Sequence, residues 1–463
     1  MRMGYGNFLL FYLVKSLCTL DKIKPMDLSY TILYYANWIF IYIASFGTIF
    51  QFIYILFIWL KPKTFKSSLK KNRIAIVIPA RDEEEVIGET VKALRANQDY
   101  PQDLFDLYVI ADNCADQTAE VAKSAGAMVI VHNDPNPKTH NVAHSLKYGF
   151  ERIFETKRGY YDFFIRFDAD NKAKSDYLSK MNDAFNSGVE IARPFEASTN
   201  PTQNTWANVS ATYYLRDSRI ASNFRENAHL DSMLTGAGMM VSARILEDSG
   251  WDAMGMSEDA EYSINRLIEN RRIHYVAEAV VYEDQPSTKK DTWNRLVRMG
   301  HGLHSLFWRK GFALLGHTFV SGKISNVDLF AQILFIPVDI IAFLWFAPYY
   351  VFFIIVNLIN AFSGTQIISF IPPAESLGQL WELAWMIAVV LGLLYFTYSF
   401  QTWLAIMLSK KSAGITSLKG YKRGIFLAPL FMIFYGFAII TGALTKPSWK
   451  KVKRNVDAFS KKQ

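Results

Sequence analysis

Residues 31–60, TILYYANWIFIYIASFGTIFQFIYILFIWL, carry no charged side chain. A helix crossing a hydrocarbon core of ~30 Å needs about 20 apolar residues, so this run predicts a membrane span. Apolar stretches at 329–362, 383–408 and 425–444 predict further spans toward the C-terminus. Residues 4–14 are also apolar, but Lys15 ends the run and no small-residue cleavage site follows. That pattern fits an interfacial helix or a short first span better than a cleaved signal peptide. Between 74 and 312 the pattern changes to short apolar strands separated by amphipathic helices. IAIVI (74–78), LYVIA (107–111), AMVIVH (127–132) and DFFIRF (162–167) read as strands, with helices expected from Glu83 to Ala96 and across 116–125 and 139–156. Such alternation predicts an α/β domain with a parallel sheet covered on both faces.

Charge orients these pieces. KPKTFKSSLKKNR (61–73) holds six basic residues and no acid directly after the first long apolar run. Basic clusters beside spans mark the cytoplasmic side. The loop 409–424 and the tail KPSWKKVKR are basic as well, whereas 363–382 has no basic residue. The middle domain, that loop and the tail are therefore expected in the cytoplasm, and the chain in the cell membrane as a multi-pass protein. Three full spans after the middle domain would put the tail outside. One apolar run must then hold a hairpin or not cross fully, and Pro337 and Pro348 make 329–362 the best hairpin candidate. The resulting division is 1–73, N-terminal membrane segments with the basic linker; 74–290, the α/β domain; 291–326, interfacial helices; 327–445, C-terminal membrane helices; and 446–463, a basic tail. Two cysteines in 463 residues, Cys18 and Cys114, exclude a disulfide scaffold. A hydrophobic fraction of 51% with a net charge of only +8 excludes bulk disorder. No nucleic-acid partner is expected; the lipid bilayer is.

In open α/β sheets, ligands sit beyond the carboxyl ends of strands. Three of the first four strands here run into acidic loops: Pro79-Ala80-Arg81-Asp82-Glu83-Glu84-Glu85, Asp112-Asn113-Cys114-Ala115-Asp116, and Asp168-Ala169-Asp170. An acid at such a place can be a helix cap and nothing more, which suffices for Asp116 or Glu83. Asp168 and Asp170 are spaced so that both project to one side of an extended chain. They repel each other unless a divalent cation bridges them to phosphate oxygens. A glycine loop follows at Leu234-Thr235-Gly236-Ala237-Gly238, readable as a tight turn. Ser257-Glu258-Asp259-Ala260-Glu261 reads as a helix start with acids in its first turn, which also holds a carboxylate rigidly. The stretch 292–310 is basic and aromatic at helical spacing, as in a helix resting on a bilayer surface. His132, His140, His144 and His229 lack zinc-site spacing and, like Cys114, receive no catalytic role.

Taken in order, these features resemble the processive, membrane-integrated glycosyltransferases of family 2, which include cellulose, hyaluronan and chitin synthases. The likeness covers roughly 30–460 and is strongest over 74–310. It implies a GT-A-like, Rossmann-like cytoplasmic domain embedded between transmembrane and interfacial helices. By that resemblance Pro79, Ala80 and Glu83 lie at the nucleotide-binding start. Asp112 matches the acid beside uracil and ribose, and Lys138 resembles the lysine near the donor phosphates. Asp168 and Asp170 match the pair that holds Mg²⁺ or Mn²⁺. Thr235, Gly236 and Ala237 resemble the loop that touches the acceptor. Ser257-Glu258-Asp259 matches the family's T-E-D, with Asp259 as general base and Glu258 beside it. The family's Q-x-x-R-W appears as Arg295-Leu296-Val297-Arg298-Met299. Arg298 keeps the cation for the leaving diphosphate, but the acceptor-stacking tryptophan is replaced by Met299, leaving Trp293 or Trp308 to take its place.

The expected reaction is inverting transfer of a hexose from a UDP-sugar, UDP-glucose first, to a growing β-linked polysaccharide of capsule or exopolysaccharide type. Secretion through the chain's own helices is expected too, with Trp345, Tyr349, Tyr350, Trp385, Tyr395 and Tyr398 along the route. Two alternatives stand beside it. One is a non-processive transferase adding a single sugar to a lipid. The other, a transporter with a regulatory domain, predicts charges within the spans, where Asp339 is nearly alone.

Overall fold

Every residue of the first expected strand is buried, and it forms the interior of a sheet as β1 (Ile74–Ala80). The computed structural model describes residues 53–341, 347–363 and 377–446, with Tyr35, Ala36, Ile39, Tyr42 and Leu344. After β1 come α1 (Ile87–Asn97), β2 (Phe105–Asp112), α2 (Thr118–Ser124), β3 (Met128–His132), α3 (Val142–Lys157) and β4 (Phe163–Arg166). The chain continues through β5 (Lys172–Ala173), α4 (Tyr177–Asn186), β6 (Ile191–Ser198), α5 (Thr205–Asp217), α6 (Asn223–Asn227), β7 (Met239–Ser242), α7 (Ala243–Ser249), α8 (Glu258–Ile268) and β8 (His274–Glu283). Then follow α9 (Lys289–Leu306), α10 (Phe312–Ser321), α11 (Ile324–Ile341), α12 (Ala347–Ser363), α13 (Leu377–Ser409) and α14 (Lys422–Leu444).

The eight strands lie in the order β3-β2-β1-β4-β7-β6-β8-β5. The expected all-parallel sheet is corrected here. β1 to β4 pair in parallel, but β7 runs antiparallel to both β4 and β6, and β5 antiparallel to β8. Two reversals restore the direction, so β6 and β8, which pair in parallel, point the same way as β4. The carboxyl ends of β1, β2, β4, β6 and β8 therefore share one edge, where polar loops converge.

Alternation along β1 splits the core between the two faces. Ala75 and Val77 join Leu146, Phe150 and Ile264 on one side, while Ile74, Ile76 and Ile78 join Val91, Leu94 and Met181 on the other. The helix after β1 starts at Ile87 rather than Glu83, because Asp82 takes a left-handed conformation (φ 54°) that turns the chain first.

Two compact units are present, residues 47–340 with 391–463 and residues 1–46 with 341–390. The sheet, α9 and α14 belong to the former. Val209 of α5, Leu296 and Val297 of α9, and Phe431, Tyr435 and Ile439 of α14 form one buried cluster. Among the described residues, the helical stretches Leu391–Ser409 and Leu418–Leu444 are long and apolar enough to cross a membrane. The expected run 329–362 divides into α11 and α12, and the first part of α11 packs inward. Leu329, Phe330 and Ile333 pack into the sheet's core, and Asp328 is fully buried against Arg225 (2.8 Å). The expected span 31–60 lies mostly outside the described residues; its end, Tyr54 and Ile58, is buried. Trp345 and the basic tail from 447 onward also lie outside them.

Candidate active site

The loops after β1 and β2 are laced together. Asp82 accepts the Ala115 N–H (2.7 Å), the Glu83 N–H donates to Thr118 Oγ1 (2.9 Å), and Glu84 accepts the Gln117 N–H (2.9 Å). Asp82, Cys114 and Asp116 bring three potential ligand atoms within 4.8 Å of one another. Their hydrogen bonds serve the turn, however, and burial pushes the Cys114 thiol up, which disfavours a thiolate ligand. Pro79 and Ala80 close β1 opposite Ile110 and Ala111.

Asp112 ends β2 directly opposite His132 of β3. It is buried, and its Oδ1 accepts from His132 Nδ1 (2.7 Å) and Asn113 Nδ2 (2.8 Å). The His132 ring stacks on Tyr148 with centroids 4.3 Å apart. The sequence reading assigned His132 no role, and chemically it is the residue that fixes the Asp112 carboxylate. Lys138 lies in a single turn, Pro137–Thr139, ahead of α3.

The acidic centre is built on Arg166, the last residue of β4. Its Nη2 lies 3.0 Å from Asp168 Oδ1 and 3.0 Å from Glu258 Oε1. Gly236 is required beside it, because a Cβ there would meet Arg166 Nη1 at 2.8 Å. Thus β4, the glycine loop and the start of α8 meet over one buried guanidinium. The D-x-D turn is held by Asn171, whose Oδ1 accepts the Asp168 N–H (2.9 Å), and Asp170 is buried at 4% exposure. Glu258 is buried and Asp259 partly buried, with its Oδ1 accepting the Ala260 N–H (2.8 Å). Burial pushes both carboxyls up; Arg166 opposes the shift and Asp168 adds to it.

Four carboxylates, Asp168, Asp170, Glu258 and Asp259, gather here. Arg166 pairs with Asp168 and Glu258, and Arg295 lies close enough to Asp170 to interact with its charge. Carboxylate oxygens are hard donors of the kind Mg²⁺ and Mn²⁺ take, so the chemistry of Asp168 and Asp170 is compatible with the expected metal. Thr235 donates its hydroxyl to Glu196, and Ala237 is buried behind it. Glu283, ending β8, pairs with Arg295 (2.6 Å); burial, reinforced by Asp170, pushes it up to about 7.

α9 carries Arg295 and, one turn on along the same face, Arg298. Met299 Sδ accepts from the Tyr214 hydroxyl at 3.7 Å, and Trp293 packs on Phe434 with centroids 5.2 Å apart. Trp308 donates to His304 and packs on Phe307. Gly302 faces α8, since a Cβ there would lie 2.1 Å from Ser257 Oγ. Gly302→Val is expected to displace the start of α8 and lower kcat at least tenfold, with donor binding retained. Overpacking of this kind costs roughly 1–3 kcal/mol. Parallel measurement of kcat and of nucleoside diphosphate affinity checks it.

Sequence reasoning missed Arg166, Asn171, His132 and the Glu283–Arg295 pair. Arg166 had one visible signal, a lone cation inside the apolar strand DFFIRF. The others depend on cross-strand neighbours.

Residues 72–302 match the family described as Glycosyltransferase like family 2. The Bacillus subtilis protein YdaM, named a probable glycosyltransferase, is 24% identical over 248 residues, covering 52% of this chain and 57% of its own. The beta-monoglucosyldiacylglycerol synthase of Nostoc sp. is 21% identical over 283 residues, 58% of each chain. The chain thus spans little more than half the length of these relatives. A mannosyltransferase of Pyrobaculum calidifontis, solved with GDP-Man and Mn²⁺, superposes with a TM-score of 0.51 at 14% identity, covering 81% of this chain and 99% of that one. This likeness concerns the fold.

Proposed function

Residues 72–302 are a glycosyltransferase family 2 domain, and from that premise we propose that the protein transfers a single hexose from a UDP-sugar to a lipid acceptor at the membrane. The observation that carries the choice of acceptor is on α9. A flat aromatic ring there would give the sugar at the end of a growing chain a face to stack on. Met299 offers none, Trp293 is packed on Phe434, and Trp308, just beyond α9, keeps an exposed ring with its N–H on His304. Two tyrosines of the expected secretion route are engaged as well: Tyr395 donates to the Phe426 carbonyl, and the Tyr398 ring lies 4.1 Å from the Arg216 guanidinium. The named activity of the Nostoc relative, which makes a glucosyl lipid, supports the same reading and makes UDP-glucose the first donor to try.

In this reading the donor nucleotide lies over the ends of β1 and β2, with Asp112 held by His132 toward the base and ribose. The leaving diphosphate faces Arg298 and Lys138. A divalent ion on Asp168 and Asp170 supplies charge neutralisation of that leaving group. Asp259, partly buried at the start of α8, accepts the proton of the attacking hydroxyl. Glu258, buried against Arg166, is a positioning residue that fixes the helix start. One displacement at the anomeric carbon inverts it, so an α-linked donor gives a β-glycoside. The two apolar stretches, with the basic linker 61–73 and loop 409–424, support a membrane protein whose transferase domain is cytoplasmic.

Purified protein in vesicles containing diacylglycerol, given UDP-glucose, is expected to yield a lipid carrying one sugar. A ladder of long, lipid-free β-glucan would overturn the proposal in favour of a processive synthase.

A further inference from the structure

A cavity of about 280 Å³ lies at the carboxyl edge of the sheet beyond β6 and β8, away from the loops of β1 and β2. Its walls come from two sources. The sheet contributes Lys172, Ser198, Thr199 and Tyr282, and the loop between α13 and α14 contributes Thr416 and Tyr421. The loop is seated closely on this edge: a Cβ on Gly420 would meet Thr202 Cγ2 at 2.5 Å.

Hydroxyl-bearing residues share the lining with Pro201, Ala413 and Ile415. Ser198 Oγ is buried and has no hydrogen-bond partner among the described residues. Buried polar atoms are rarely left so, because an unmade hydrogen bond costs about 1–3 kcal/mol. Lys172 is the one cation among the lining residues, and Glu89 and Asp284 lie close enough to balance its charge. The cavity is therefore no anion trap. Burial also pushes the Tyr282 phenol up, so it stays a neutral donor and acceptor. Tyrosine rings beside hydroxyls offer the mixed surface that a sugar or glycerol unit presents in return. The size lies at the small end for ligand pockets, roughly 300–1,000 Å³, and suits one such unit.

The surroundings indicate what the unit is attached to. α13 ends and α14 begins at this loop, and both carry exposed apolar side chains nearby, Trp403 and Met407 on one, Phe426 and Leu430 on the other. We infer that this cavity binds the neutral, hydroxyl-bearing headgroup of an amphiphile, with Ser198 and Thr416 as hydrogen-bonding residues and the tail lying along α13 and α14. Its identification with the acceptor lipid rests on the function proposed above; the polyol site itself does not.

The test uses the full chain in phosphatidylcholine nanodiscs, with glycerol and methyl β-glucopyranoside as probes in saturation-transfer NMR. Wild type is expected to bind both. Ser198→Ala should weaken binding about three- to tenfold, the worth of one hydrogen bond. Thr416→Trp, on the exposed loop, should fill the cavity and abolish binding. In both variants the KM for diacylglycerol should rise while UDP-glucose hydrolysis in the absence of acceptor stays at the wild-type rate. If wild type binds neither probe, or both variants bind as wild type does, the site is overturned. Loss of probe binding in the variants of a protein that makes no glycolipid would uphold the cavity and overturn the lipid-acceptor reading instead.

Discussion

Asp259→Asn is expected to lower turnover by about 10²–10⁴-fold, the usual cost of removing a general base. Donor affinity should be unchanged, because Asp259 lies at the start of α8 and the nucleotide loops follow β1 and β2. The pH behaviour follows from the carboxyl's surroundings. Burial and the Asp168 charge raise its pKa, and Arg166 opposes them. A base works only when ionised, so activity should fall with decreasing pH from a point above the ordinary carboxylate range. The same shift has a consequence for stability. A folded-state pKa above the unfolded value favours the protonated form, so the stability it contributes at low pH is lost as pH rises through the folded value. At neutral pH the ionised group is therefore a burden on the fold, and Asp259→Asn should raise the Tm while lowering kcat. Calorimetry beside a kcat profile over pH 4.5–8 (about the range in which carboxylates and histidines titrate) checks both. A variant with near-normal kcat would remove Asp259 from the role, and one that melts lower would make it a structural residue.

The parts of this site that were legible in the sequence are those with a local signature. A buried strand followed by D-x-D, a helix start carrying Glu258 and Asp259, and an apolar β1 ending in Pro79-Ala80 all appear within a few residues of chain, and the structure places them at one edge. The reversal at β7 was not legible. Met239–Ser242 is only four residues long, and strand direction depends on which neighbour it pairs with rather than on its composition. The role of Arg166 was hidden for the same reason, since Glu258 reaches it only once α8 has folded back onto β4. Tryptophans show what spacing leaves open. Trp293 is on the helix where the family resemblance implies acceptor stacking, yet its partner Phe434 belongs to an apolar helix far along the chain. An aromatic residue facing a membrane-type helix and one facing a sugar are indistinguishable by spacing alone. His132 illustrates the opposite error: a search for zinc spacing passes over a histidine whose partner is a carboxylate on the neighbouring strand.

Asp170→Asn should abolish transfer and, measured without donor, remove high-affinity Mn²⁺ binding. Asp170 is buried beside Asn171, whose side-chain amide lies 3.4 Å from its Oδ1, and an amide at that position preserves shape while removing charge. Asp168→Asn differs in one respect. Asp168 shares Arg166 with Glu258, so its loss leaves the guanidinium still paired, and the fold should survive. Metal stabilisation of developing charge is worth several kcal/mol, so the loss should reach about 10³-fold at 1.36 kcal/mol per decade. Crowded carboxylates repel, and neutralising either one should leave the Tm equal or higher, which separates loss of the metal from loss of the fold. Titration calorimetry with Mn²⁺, thermal melts and an activity assay with and without EDTA make the comparison. Full activity in excess EDTA, or wild-type Mn²⁺ affinity in both variants, would take the metal away from these two residues. The acidic centre would then have to be balanced by arginines such as Arg166 and Arg295, and more of the burden of stabilising the leaving diphosphate would shift to α9.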